Sequence, residues 1–276
     1  MRLFFANSAF VKVPERLIVR GGKWQSSGLW VRYGLIIHPT MGAVLIDTGY
    51  TFHCTRANER SIGLRAYNAI LRPELIDAGQ PDAFLARFNL APRDINYVII
   101  THFHADHISG LSLFTKARFV ACEHAWETVC KASYFGNLRH GIFPELVPKD
   151  FKDRFQPLSG KPTVETELGI NAKDIFADQK ILALPLPGHA IGHFGVILRM
   201  PEKSVLYAVD TQWLFAALPD KNHPGFPSRF IASNKNHLSI SSRVVERFRD
   251  NGLGDVVLSH DPVQTPYDII DVEKNT

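Results

Sequence analysis

Five short apolar runs punctuate this chain, and each stops at a residue able to bind a metal or carry a charge. Ala43 to Ile46 leads into Asp47-Thr48-Gly49, and Ile95 to Thr101 leads into His102-Phe103-His104-Ala105-Asp106-His107. Ile181 to Leu186 leads into Pro187-Gly188-His189, Ser204 to Val209 into Asp210, and Val256 to Ser259 into His260. Short runs rich in Val and Ile, bounded by turn residues, predict strands buried on both faces. A His or Asp just beyond each strand predicts a site along one sheet edge, since the crevice past the carboxyl ends of strands is where open α/β sheets hold their chemistry.

Other stretches read as scaffold and cover. Thr55 to Phe88 carries Leu, Ala, Arg and Glu at helical spacing and predicts outer helices interrupted near Pro73 and Pro81, with no chemistry of their own. Arg243 to Phe248 predicts another amphipathic helix, ended by Asn251-Gly252. Leu214 to Asn236, with Pro219, Pro224 and Pro227 among aromatic residues, predicts an irregular cover over the edge. Its Phe215, Phe226 and Phe230 are candidate pocket walls, as are Phe135 and Phe143 from the loop Ala132 to Phe143, although packing in the core accounts for any one of them.

Composition narrows the class. A chain of 276 residues with 45% hydrophobic content can bury a substantial core, as two tightly packed halves or one large domain, and no Ser/Gly or Pro-rich tract separates parts of it. The apolar residues of Met1-Arg2-Leu3-Phe4-Phe5-Ala6 are too few for a signal-peptide core, and no stretch is long enough to span a membrane. Cys54, Cys122 and Cys130 are an odd number without a paired spacing, so reduced thiols and a cytoplasmic setting are expected. The net charge of +4 comes from scattered basic residues, which argues against a nucleic-acid partner.

The richest chemistry lies in Thr101 to His107. His102 and His104, two apart in extended backbone, can point the same way, while Asp106 and His107 open a short helix and face elsewhere. One loop can therefore begin two adjacent metal sites. Imidazole and carboxylate donors suit zinc first, with iron, manganese or cobalt as alternatives.

Taken in order, Ile46-Asp47-Thr48-Gly49, His102-x-His104-x-Asp106-His107, Pro187-Gly188-His189, Asp210 and Ser259-His260-Asp261 resemble the five motifs of the metallo-β-lactamase superfamily. The resemblance is strongest to its acyl-homoserine-lactone lactonases. It implies an α/β fold, a four-layer αβ/βα sandwich of two mixed sheets face to face with helices outside. Residues 1–276 would form one such domain, with pseudo-symmetric halves roughly 1–160 and 161–276. His102, His104 and His189 would hold one metal, Asp106, His107 and His260 a second, and Asp210 would bridge them. Two divalent ions would then hold a hydroxide nucleophile at neutral pH, with Asp210 or Asp106 passing a proton to the leaving group. Asp47 and His193 would support the ligands from behind.

The activity implied is metal-dependent hydrolysis of a small, largely apolar ester or lactone. Thioester or phosphodiester cleavage and a mononuclear-iron oxidoreductase are the alternatives. One departure bears on substrate: the lactonases place a tyrosine three residues after the bridging aspartate, and here that residue is Trp213, whose indole donates a hydrogen bond but cannot act as an acid. His124 and the remaining histidines carry no motif and are expected to be exposed or locally hydrogen-bonded. A homodimer is compatible with everything above.

Overall fold

The computed structural model describes residues 1–56, 60–223 and 233–269. Two sheets carry the architecture. The first contains β1 (Arg2–Pro14), β2 (Ser26–His38), β3 (Gly42–Ile46), β4 (Glu74–Leu75), β5 (Ile95–Ile99), β6 (Arg118–Ala121) and β7 (Phe155–Pro157), in the spatial order β4-β1-β2-β3-β5-β6-β7. The second contains β8 (Thr163–Glu165), β9 (Asn171–Asp174), β10 (Ile181–Pro185), β11 (Phe194–Leu198), β12 (Ser204–Val209) and β13 (Gly254–Leu258), in the order β13-β12-β11-β10-β9-β8. Both sheets are mixed: β3, β5, β6 and β7 run parallel, as do β12 and β13, and the other pairings are antiparallel.

The apolar runs form central strands because their alternate side chains serve different cores. In β3, Val44 and Ile46 face the second sheet, while Ala43 and Leu45 face helices on the outside. In β12, Val205, Tyr207 and Val209 face the first sheet, and Leu206 and Ala208 point outward. The inter-sheet core joins Phe5, Ile36, Val44, Ile46 and Ile99 to Ile181, Val196, Val205, Tyr207 and Val257. Outside the first sheet a larger core is covered by helices Ile62–Leu71, Pro81–Ala86 and Glu123–Lys131. Outside the second sheet, helix Lys235–Asp250 contributes Val244, Val245 and Phe248. The result is helix, sheet, sheet, helix, the four-layer sandwich anticipated above.

Several elements differ from the sequence expectation. The longest strands, β1 and β2, form an N-terminal hairpin that the apolar runs do not announce. Its register shifts between Asn7 and Phe10, so the alternation that marks a strand changes phase halfway along. Helix Lys235–Asp250 begins well before Arg243, capped by the Asn234 side chain accepting from the His237 N–H. Of the expected cover Leu214 to Asn236, the described part holds two short 3-10 turns, Phe215–Ala217 and Asp220–Asn222. Phe226 and Phe230 lie outside the described residues. Among the described residues, no helix is long and apolar enough to cross a membrane.

Candidate metal centre

The four loops that bear candidate ligands, and the Asp47 loop beside them, open at one edge of the sandwich, because the parallel pairs β3/β5 and β12/β13 end there together. The structure brings His102, His104, His189 and Asp210 into one group and Asp106, His107 and His260 into a second. The Nδ1 of His104 lies 3.0 Å from the Nε2 of both His102 and His189. Asp210 stands between the groups: its Oδ2 is 3.2 Å from His189 Nε2 and 3.0 Å from His260 Nε2, and its Oδ1 is 3.4 Å from His107 Nε2. Asp106 Oδ2 is 3.5 Å from the Nε2 of both His107 and His260. Zn–N bonds of about 2.1 Å in a tetrahedral site set neighbouring donors roughly 3.3 Å apart, which is the spacing these atoms already hold.

Protons are parked on the far side of the rings. His107 Nδ1 faces Asp47 Oδ2 at 2.8 Å, and His260 Nδ1 donates to the Trp30 carbonyl at 2.6 Å. His102 Nδ1 donates to Thr101 Oγ1 at 3.1 Å, which donates onward to Asp47 Oδ2 at 2.8 Å. Each arrangement directs Nε2 at the centre. His193 differs: its Nδ1 donates to the Leu186 carbonyl at 2.7 Å and its Nε2 accepts the backbone N–H of Asp210 at 3.3 Å. Both its nitrogens are engaged, so it positions Asp210 and has no lone pair left to offer. Asp47 and Val209 sit at equivalent strand ends with φ of 59° and 52°, and a β-branched residue rarely occupies that region. The chain turns sharply at Asp47 itself and again just before Asp210.

Electrostatics separate the two groups. Burial holds His102 and His189 well below the ordinary imidazole range and pushes His104 down to about 4, so all three are neutral ligands at pH 7. Burial opposes charge on His107 as well, yet Asp106, Asp210 and Asp47 together hold it well above its usual value. Asp210 raises His260 in the same way against its burial. Burial would raise Asp106, but His107 and His260 bring it to about 2, and Asp210 is held low by His260, His107 and His189.

The donor set fits a divalent pair. His107 Nε2 and Asp210 Oδ1 are buried and no hydrogen bond meets either atom. Orphaned polar atoms of this kind are costly in a protein interior unless a further group satisfies them, and an ion between these two would do so.

Other sequence candidates fall at varying distances. Trp213 is half-buried, its ring edge-on to the His260 imidazole with centroids 6.4 Å apart. Phe215 packs into the outer core of the second sheet beside helix Lys235–Asp250, while its N–H is bound by Asp261 at 2.7 Å. Phe143 is buried in the outer core of the first sheet, and Phe135 is 78% exposed. His124 is exposed, and His38 is buried with its Nδ1 accepting from its own turn at Thr40 and Met41.

The sequence reading passed over Tyr67, which lies in a segment read as scaffold without chemistry. Its ring packs on Phe143 with centroids 5.1 Å apart. A Cβ built on Gly141, whose φ is +66°, would lie 3.8 Å from Tyr67 Oη and 3.7 Å from His104 Cδ2, so the hydroxyl sits at the rim of the cluster. The signal in the sequence was ambiguous: Leu64, Tyr67 and Leu71 form an ordinary apolar stripe along helix Ile62–Leu71, and all three pack against the same core.

Comparison with known proteins agrees with this geometry. The chain is similar to the N-acyl homoserine lactonase AttM of Agrobacterium fabrum, 24% identical over 270 residues that cover 95% of this chain and 94% of the relative. It is also similar to a probable metallo-hydrolase of Mycobacterium tuberculosis, 26% identical over 245 residues, covering 83% and 74% of the two chains. A solved N-acyl homoserine lactone hydrolase, with the product N-hexanoyl-L-homoserine at its catalytic metal centre, superposes with a TM-score of 0.70 at 17% identity, covering 95% of this chain and 93% of the other. The family model of the metallo-beta-lactamase superfamily matches residues 28–215, a span that holds Asp47, the histidine loop, His189 and Asp210. With that match, the two mixed sheets and the clustered His and Asp donors all in agreement, the chain belongs to the metallo-β-lactamase superfamily.

Proposed function

We propose that this protein is a two-metal hydrolase that opens small, largely apolar lactones, with N-acyl homoserine lactones as the leading class. The observation that carries the reading is the position of Asp210, whose carboxylate reaches His189 of one group and both His107 and His260 of the other. A single carboxylate shared between two histidine groups is what a dinuclear centre requires, and a mononuclear site would leave Asp106, His107 and His260 without a purpose.

His102, His104 and His189 would hold one ion, Asp106, His107 and His260 the other, and Asp210 both, with zinc the ion best matched to these donors. Bound there, the pair supplies a water of lowered pKa and a Lewis acid for a carbonyl. The chain's own residues do the rest. Asp47, through Thr101 and His107, fixes the ring orientations on the histidine loop, and His193 holds the backbone of Asp210. Asp106 is the most exposed ligand in either group, so its carboxylate is the one placed to exchange a proton with a leaving group. Trp213 adds apolar surface beside His260, which suits an acyl chain better than a charged phosphate. The names of the relatives support the same choice of substrate, since AttM is an N-acyl homoserine lactonase.

The test is ring opening of a long-chain N-acyl homoserine lactone by zinc-loaded and cobalt-loaded protein, followed by proton release, with Asp210→Asn as the control. A high kcat/KM that the variant loses is expected. A negligible rate in fully metallated protein sinks the lactonase reading and moves thioesters, other esters and phosphodiesters forward.

A further inference from the structure

Tyr67 is a hydroxyl without an assignment. It sits midway along helix Ile62–Leu71, its ring packed on Phe143 and its Oη near Gly141, where the His104 ring also lies: a Cβ built on that glycine would be 3.8 Å from Oη and 3.7 Å from His104 Cδ2. Among the described residues the hydroxyl has no hydrogen-bond partner, although the ring is half-buried. Asp106 and Asp210 both act on it through space, and these belong to different ligand groups, so the phenol lies within electrostatic reach of the whole centre.

The neighbouring residues show what the hydroxyl does not do. Tyr50, on the same side of the helix, donates to Asn68 Oδ1, and Asn68 donates to the Cys54 carbonyl at 2.7 Å. That network ties the helix to the preceding segment and does not include Tyr67. A phenylalanine would pack on Phe143 equally well and would avoid placing a polar atom there. A hydroxyl that shares the border of Gly141 with the His104 ring, with no hydrogen-bond partner among the described residues, is suited to a guest that enters beside the ligands.

We infer that Tyr67 is a substrate-contacting residue, donating a hydrogen bond from Oη to the scissile ester group of the lactone, in the role that Trp213 leaves vacant. This rests on the lactone reading above. A phenol, with an ordinary pKa of about 10, is a neutral donor at physiological pH. A donor directed at an oxygen where negative charge develops contributes to the rate more than to ground-state binding, and it needs no proton transfer to do so.

The experiment compares wild type with Tyr67→Phe, which keeps the ring and removes only the hydroxyl. Five quantities are read on zinc-loaded protein: metal content, Tm, kcat and KM for N-hexanoyl homoserine lactone, and the Kd of the ring-opened product by calorimetry. Metal content and Tm are expected to stay unchanged, kcat/KM to fall about 10- to 100-fold, mainly in kcat, and product affinity to weaken by about fivefold. Adding Trp213→Tyr to the variant is expected to restore part of the rate. A wild type that opens the lactone and binds its product, with a Tyr67→Phe variant indistinguishable from it, overturns the inference alone. Loss of metal by the variant also overturns it, since Tyr67 would then act through the scaffold. A wild type that neither opens the lactone nor binds its product overturns the lactone reading and this inference with it.

Discussion

Asp47 Oδ2 lies 2.8 Å from His107 Nδ1, and both groups are fully buried. The same carboxylate accepts the Thr101 N–H through Oδ1 at 2.9 Å and the Thr101 hydroxyl through Oδ2 at 2.8 Å. Through Thr101 it also reaches His102, so one side chain at the end of β3 orients a ring in each ligand group. Asp47→Asn keeps the shape but loses the charge that favours a proton on Nδ1. Apparent metal affinity at the Asp106, His107 and His260 group should fall about 10- to 100-fold. Competition with a chromophoric chelator measures this, and unchanged affinity would leave Asp47 a loop staple only.

Metal uptake should release protons unequally from the two groups. His102, His104 and His189 are held neutral by burial, whereas His107 and His260 are raised by the carboxylates around them. An ion entering the second group must displace protons at pH 7, while one entering the first group displaces few. Calorimetry in two buffers of different ionisation enthalpy should show a buffer-dependent heat for one binding step and a nearly buffer-independent heat for the other.

The same shifts set how the metal-free protein responds to pH. The raised folded values of His107 and His260 contribute stability that is complete below the unfolded histidine pKa of about 6.5 and is lost as pH rises through their folded values. The lowered values of His102, His104 and His189 act oppositely, costing stability as pH falls from about 6.5 toward their folded values, about 4 for His104. Asp106, lowered to about 2, contributes stability present above its unfolded value and lost as pH falls through about 2. The contribution of this cluster should therefore peak near pH 6.5 without metal. Denaturation of metal-free protein across pH 5 to 8.5 checks it, and a monotonic rise toward alkaline pH would contradict it.

Gly188 has a φ of +125°, and a Cβ there would fall 2.2 Å from the backbone nitrogen of Leu238 at the start of helix Lys235–Asp250. That helix clamps the His189 loop, with Ser241 Oγ donating to the Pro187 carbonyl at 2.7 Å and the Asn234 N–H to the Gly188 carbonyl at 3.0 Å. Gly188→Ala must move one of the two backbones. Loss of the ion held by His102, His104 and His189 is expected, together with a lowered Tm, and elemental analysis of purified variant protein reads it directly.

Arg32 is buried beneath the second sheet's edge, where Nε and Nη2 meet the two Asp268 oxygens at 2.8 and 3.1 Å and the remaining donors reach the carbonyls of Leu258, Asp261 and Val263. The pair is 0% and 3% exposed, so removing one partner strands the other charge away from water. Arg32→Met should cost about 3–5 kcal/mol, measured by denaturant unfolding. It should also loosen the segment after His260, whereas Asp268→Asn with Arg32→Met should cost less than the two changes summed.

Much of this molecule could be read from local pattern. Val44 to Ile46, Val98 to Ile100, Ile181 to Leu184 and Val205 to Val209 are strands because unbroken apolar, β-branched runs have no other stable home than a sheet covered on both faces. The ligand types were legible for the same reason, since His and Asp are seldom found directly after such strands without a partner to satisfy them. Long-range approach was not legible. The hairpin of β1 and β2 is disguised by its register shift at Asn7 and Phe10, and the helix from Lys235 begins on an Asn234 cap that no apolar stripe announces. Tyr67 and His104 come from different segments, and both border Gly141 only in the folded chain. Composition and period report what a residue's neighbours in the chain require. Which histidines and carboxylates come together at one edge depends on how two sheets and their covering helices settle against each other, and only the tertiary structure decided that.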